Sequence, residues 1–110
     1  MPEIAPSGDP FEALGNSKRR AIVRLLAKRG RSVQELADAL PISRPAVSRH
    51  LRVLSEAGLV FDEAQGNRRV YRLGPEGLDP VRAYLESVWA DAAPRFKLFA
   101  ENTARPRRRR

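Results

Sequence analysis

Apolar residues recur at helical spacing three times in the first half of the chain. In "NSKRRAIVRLLAKRG", residues 16–30, Ile22, Val23, Leu25 and Leu26 follow a 3.6-residue repeat. Asn16 or Ser17 offers a cap and Gly30 a stop. "SVQELADAL" follows, with Val33, Leu36 and Leu40 as its stripe and with Ser32 and Glu35 at the spacing of a reciprocal capping box, before Pro41 ends it. Ser43 then caps "RPAVSRHLRVLSE", which tolerates Pro45 in its first turn because the early backbone N–H groups have no intrahelical acceptor. Gly58 stops this helix. A short helix over Pro10–Leu14, with Phe11 and Leu14 on one face, precedes them all.

Beyond Gly58 the period changes to two. "LVFDEA" and "RRVYRL" flank "QGN", a hairpin in which Gly66 and Asn67 are suited to positive φ. Gly74 to Asp79 reads as a loop, with Asp79 as a cap and Pro80 at the first helical position. "VRAYLESVWADAA" then places Val81, Leu85, Val88 and Ala92 at i, i+4, i+7 and i+11. Pro94 is expected to break or kink this helix, with Phe96 and Phe99 carrying the apolar face onward. The predicted fold is mainly α with a small β-hairpin wing: a winged helix-turn-helix with a C-terminal dimerisation helix. Residues 1–9 are expected to form a flexible arm, 10–103 the domain, and 104–110 a basic disordered tail.

At 100° per residue, Val47, Leu51 and Leu54 face inward on the third helix, whereas Pro45, Ala46, Ser48, Arg49, Arg52 and Glu56 face outward. On an arbitrary helix such arginines describe a solvated face. A capped helix and short turn before this one, and a hairpin with Arg68 and Arg69 at its tip after it, make it a recognition helix for a DNA groove. Ser43 and the first turn suit phosphate, Arg44 and Arg49 suit guanine edges, and Ser48 suits either kind of acceptor. Arg68 and Arg69 are placed to grip the flanking minor groove or backbone, and His50, on the helix flank, suits either a phosphate or base contact or a half-buried structural role. Lys18, Arg19 and Arg20 fit phosphate contact and plain solvation equally well.

Charge adds one refinement. The 110 residues carry 21 basic and 13 acidic side chains, a net +8, but five arginines lie among the last six residues and the body without them carries only +3. Its location therefore matters more than its sum. The chain contains no cysteine, no apolar run of membrane-spanning length and no secretory signal, which points to a cytoplasmic protein. No paired acid and base, Ser/His/Asp set or glycine-rich phosphate loop is present, so no enzymatic activity is expected.

Residues 13–73, above all "SRPAVSRHLRVLSEAGLV" and "GNRRVYRL", resemble the ArsR-type winged-helix repressors, specifically a subgroup without the metal-binding cysteines. The resemblance implies a homodimer that binds a palindromic operator on double-stranded DNA and represses transcription, including that of its own unit. Family members that sense metals use a cysteine pair before the recognition helix, or Asp and His on the dimer helix. Here those segments are "RSVQELADAL" and "DPVRAYLESVWADA", with only Asp79, Glu86 and Asp91 as scattered carboxylates in the second, so neither metal nor other cofactor is expected. Phe11, Leu14, Val81, Tyr84, Leu85, Val88, Trp89 and Phe96 form the expected dimerisation surface, because this apolar stripe is wider than so small a core can cover. Two other readings remain open: an apolar effector site near Trp89, and a winged-helix module that binds protein instead of DNA.

Overall fold

The computed structural model describes residues 7–108, with side chains through Glu101; residues 1–6 of the expected arm and 109–110 of the expected tail lie outside the described residues. The elements run α1 (Pro10–Ala13), α2 (Ser17–Lys28), α3 (Val33–Ala39), α4 (Arg44–Glu56), β1 (Val60–Gln65), β2 (Arg68–Leu73) and α5 (Pro75–Arg108). The caps predicted for α2, α3 and α4 are present, whereas Asp79, expected to cap the last helix, lies inside α5. Asn16 Oδ1 accepts from the N–H groups of Lys18 and Arg19 at 2.9 and 3.0 Å, and Ser32 and Glu35 form the reciprocal capping box.

One apolar core holds the helices and the hairpin together. Ile22 of α2, Leu36 of α3, Val47, Leu51 and Leu54 of α4, and Leu59 after it are fully buried. β1 and β2 pair antiparallel, Val60 opposite Leu73 through Gln65 opposite Arg68, leaving a two-residue turn. Arg31 extends the sheet by one residue, donating its N–H to the Tyr71 carbonyl at 3.1 Å and accepting from the Tyr71 N–H at 2.8 Å. Within the hairpin turn Gly66 takes φ +61° as expected, whereas Asn67 does not take a positive φ. A positive φ at the first central residue alone follows the type II′ preference for glycine there.

The C-terminal helix departs from expectation at its start and at Pro94. It begins at Pro75, inside the predicted loop, because the chain at Gly74 and Gly77 is pinned to the end of α4. Gly74 donates its N–H to the Leu59 carbonyl and Gly77 to that of Gly58, each at 2.8 Å. A Cβ on Gly77 would stand 2.5 Å from the Ala57 carbonyl oxygen, so this approach requires glycine. The helix also continues through Pro94 without a break. Its helical backbone runs on to Arg108. At the other end, Gly8 of the expected arm donates its N–H to the Glu56 carbonyl at 2.8 Å, and Asp9 caps α1 through the Phe11 N–H at 2.9 Å.

Candidate nucleic-acid interface

Helix α4 is positioned by its inner face and its two ends. Val47, Leu51 and Leu54 are buried, Ser43 Oγ accepts from the Ala46 N–H at 3.3 Å, and the C-terminus is tied to Gly8. Arg44, Pro45, Ser48, Arg49 and Arg52 are consequently exposed on its outer side, with Ala46 and His50 half-buried beside them. Among the described residues, Arg44, Arg49 and Arg52 make neither an ion pair nor a side-chain hydrogen bond. Three guanidiniums thus stand unneutralised on a surface whose first turn is lined by small side chains, an arrangement able to enter a groove between two rows of phosphates.

The wing differs. Arg68 Nη2 donates to Glu35 Oε1 at 2.8 Å, Arg69 Nη1 to Asp62 Oδ2 at 2.8 Å, and Arg72 Nε to Glu63 Oε2 at 2.6 Å. Glu35 Oε1 also accepts from the Ser32 N–H at 2.9 Å, and Arg29 Nη1 lies 3.6 Å from Oε2. The Ser32 backbone bond, aided by Arg68 and Arg29, holds the Glu35 carboxyl below the usual carboxylate range against a smaller opposing effect of desolvation.

The basic cluster at the start of α2 divides by role. Arg19 Nε donates to the Ala13 carbonyl and Arg20 Nη1 to the Leu14 carbonyl, each at 2.8 Å, so both close off the end of α1. Lys18 has no ion pair among the described residues. Its charge, with those of Arg19 and Arg49, acts on His50: desolvation first, and then the three cations, lower the imidazole pKa below its ordinary value. Tyr71 is a further candidate that sequence reasoning missed. With Ser48, Arg52, Ser55 and Asp62 it lines a 330 Å³ cleft between α4 and the wing, where burial first and Asp62 second raise its phenol pKa. The signal was the strand alternation, which sets Tyr71 on the same face as Arg69.

The expected dimerisation residues gather along α1 and α5. Phe11 and Tyr84 meet edge to face with ring centroids 5.2 Å apart, and Trp89 and Phe96 lie 5.4 Å apart. Tyr84, Leu85, Val88, Trp89 and Phe96 remain exposed, Phe11 likewise, while Leu14 and Val81 are half-buried. A 650 Å³ groove runs along this helix over Leu78, Val81, Leu85 and Trp89, with Arg82 and Glu86 at its rim. Among the described residues, no group of three His, Cys, Asp or Glu is arranged to hold a metal ion, and no helix is long and apolar enough to cross a membrane.

Comparison with known proteins places this surface in a functional context. Residues 14–60 match the family model described as "Helix-turn-helix domain". The chain is 51% identical over 82 residues to the HTH-type transcriptional regulator Rv2034 of Mycobacterium tuberculosis, covering 74% of this chain and 77% of that protein. It is 39% identical over 89 residues to the arsenic resistance transcriptional regulator ArsR1 of Pseudomonas putida, covering 80% and 70% respectively. The fold matches the solution structure of the homodimeric winged helix-turn-helix DNA-binding domain of Mb0332 from Mycobacterium bovis, described as a possible ArsR-family regulator. That match has a TM-score of 0.60 and 34% identity, over 76% of this chain and 77% of that one. With a capped helix-turn-helix, a hairpin wing and relatives that span most of its length, the chain belongs to the ArsR family of winged helix-turn-helix transcriptional regulators, which are DNA-binding proteins and not enzymes.

Proposed function

We propose that the protein acts in the cytoplasm as a homodimeric repressor of a palindromic operator, including one in its own promoter, with residues 10–103 as the DNA-binding and dimerisation unit. The observation that carries this reading is the outer face of α4, where Arg44, Arg49 and Arg52 are exposed and unpaired among the described residues. Arg44 and Arg49 read base edges, with guanine the natural match for a guanidinium fork. Ser43 and the first turn of α4 receive a phosphate, and Pro45 and Ala46 allow close approach. Ser48, His50 and Arg52 complete the contact, and the wing, with Arg68 and Arg69 near its tip, lies along the flanking duplex.

Dimerisation follows from what α5 leaves uncovered. Burying an aromatic or large aliphatic side chain is worth about 1.5–3 kcal/mol. The exposed Tyr84, Leu85, Val88, Trp89 and Phe96 therefore favour burial against a second copy, and the similar domain of Mb0332 is homodimeric. Two-fold symmetry then sets two copies of α4 about 34–36 Å apart, one turn of duplex.

Selection of bound sequences from a random duplex pool, with sedimentation of the complex, tests the proposal. The expected result is an inverted repeat bound by two chains. Binding without sequence preference that disappears at physiological salt would contradict it, because counterion release alone then accounts for the affinity.

A further inference from the structure

The carboxylate of Glu35 joins three segments of the fold. The capping box fixes it at the start of α3: Oε1 accepts from the Ser32 N–H at 2.9 Å while the Glu35 N–H donates to Ser32 Oγ at 3.2 Å. Onto that same oxygen Arg68 donates at 2.8 Å from the first position of β2, thirty-three residues further along the chain. Arg29, from the connection between α2 and α3, approaches the other oxygen at 3.6 Å.

The tip of the wing has few other attachments. Phe61 through Arg69 are exposed without interruption, and the nearest buried anchor on β2 is Val70. The base of the hairpin is fixed by Val70 and by the backbone exchange between Arg31 and Tyr71. At its tip, the bond from Arg68 crosses to α3, which packs directly on α4. The wing is thus held at its base by apolar packing and backbone hydrogen bonds and at its tip by an ionic bond.

We propose that Arg68 and Glu35 form a latch that positions the wing against α4, so that Arg68 serves DNA binding through wing placement and not as a phosphate ligand. The inference rests on the DNA-binding reading given above and assigns Glu35, the capping-box residue of α3, a positioning role. A latch and a phosphate ligand make opposite predictions for Glu35. If Arg68 bound phosphate, Glu35 would compete for it, and neutralising Glu35 would strengthen DNA binding. If Glu35 holds the wing, neutralising it weakens binding while leaving the number of phosphate contacts unchanged.

The test uses the full chain and the duplex selected from the random pool, with binding measured across a salt series for the wild type, Glu35→Gln, Arg68→Gln and the double variant. Glutamine preserves the capping box, so α3 keeps its start. The latch predicts that each single variant weakens binding by about two- to five-fold, the range open to a partly exposed ion pair. The double variant should be no weaker than either single, and the slope of log affinity against log salt should not change. Tighter binding by Glu35→Gln, a slope reduced by about one unit in Arg68→Gln, or independent losses in the double variant would overturn it. Amide exchange in the free protein gives a readout separate from DNA. Glu63 and Gln65, whose amides fall in the hydrogen-bonded pairs of the hairpin register, should exchange faster to the same extent in both single variants while α4 is unchanged. Wild-type exchange rates at the wing would overturn the latch whatever happens on DNA. Wild-type binding without sequence preference would instead overturn the functional reading, and the exchange result would stand by itself.

Discussion

The recognition helix and the wing carry three arginines each and hold them in opposite ways. On α4, Arg44, Arg49 and Arg52 have no ion pair among the described residues; on the hairpin, Arg68, Arg69 and Arg72 each bond a carboxylate within 2.8 Å. The difference follows from how each element is supported. Helix α4 presses Val47, Leu51 and Leu54 into the core, so its position needs no help from its outer side chains, and their charge is free to meet a ligand. The hairpin buries only Val60 and Val70 and uses its charges to hold its own shape and place. Counting arginines therefore overstates the electrostatic footprint of the wing, since a guanidinium already bonded to a carboxylate must give up that bond before it gains a phosphate.

The largest expected effect tests the support of α4. Leu51→Ala should destabilise the protein by about 2–5 kcal/mol in denaturant unfolding, because Leu51 is 1% exposed and its truncation leaves a cavity under the recognition helix. A loss well under that range would mean that α4 is held by something other than its inner face. A smaller effect tests the wing. Gly66 has φ +61° and nothing within 4 Å of an added Cβ, so Gly66→Ala should cost only backbone strain, about 1–2 kcal/mol, with faster amide exchange confined to β1 and β2. Faster exchange in α4 as well would show that the two regions are not separately supported.

The smallest effect concerns His50, at the boundary of the free charges. Because its folded pKa is lowered, the unfolded chain takes up a proton more readily. The contribution of His50 to stability is therefore complete above its ordinary pKa of 6.5 and declines as pH falls from there to the lowered value. Phosphates brought beside Lys18, Arg19 and Arg49 offset the part of the shift due to these cations, though not the larger part due to desolvation, so DNA binding should raise the imidazole pKa and strengthen as pH falls. The dependence should stay below about tenfold per pH unit, the limit for one proton. Binding measured from pH 7.5 to 5.5 should show this slope in the wild type and lose it in His50→Gln; an identical slope in both would remove His50 from the interface.

Much of this arrangement was legible in the sequence because it is local. The caps at Asn16, Ser32 and Ser43, the inward stripe of α4 and the hairpin turn at Gly66 each depend on residues within a few positions of one another. The remainder depends on contacts across the chain. Glu35 is visible as a capping residue, but nothing near it announces that Arg68 shares the same oxygen. Arg19 and Arg20 look like neighbours of Lys18, yet their guanidiniums turn back to the carbonyls of Ala13 and Leu14. The start of α5 at Pro75 required knowing that Gly77 rests on the backbone of Gly58, a contact with no periodic signature.

Sequence reading by the free arginines of α4 is tested most directly by Arg49→Ala, measured against the selected duplex and its single-base-pair variants. The expected result is a loss of about 1–3 kcal/mol in affinity, with preference relaxed at one base pair in each half-site and retained at the others. Unchanged affinity and an unchanged pattern of base preference would contradict it.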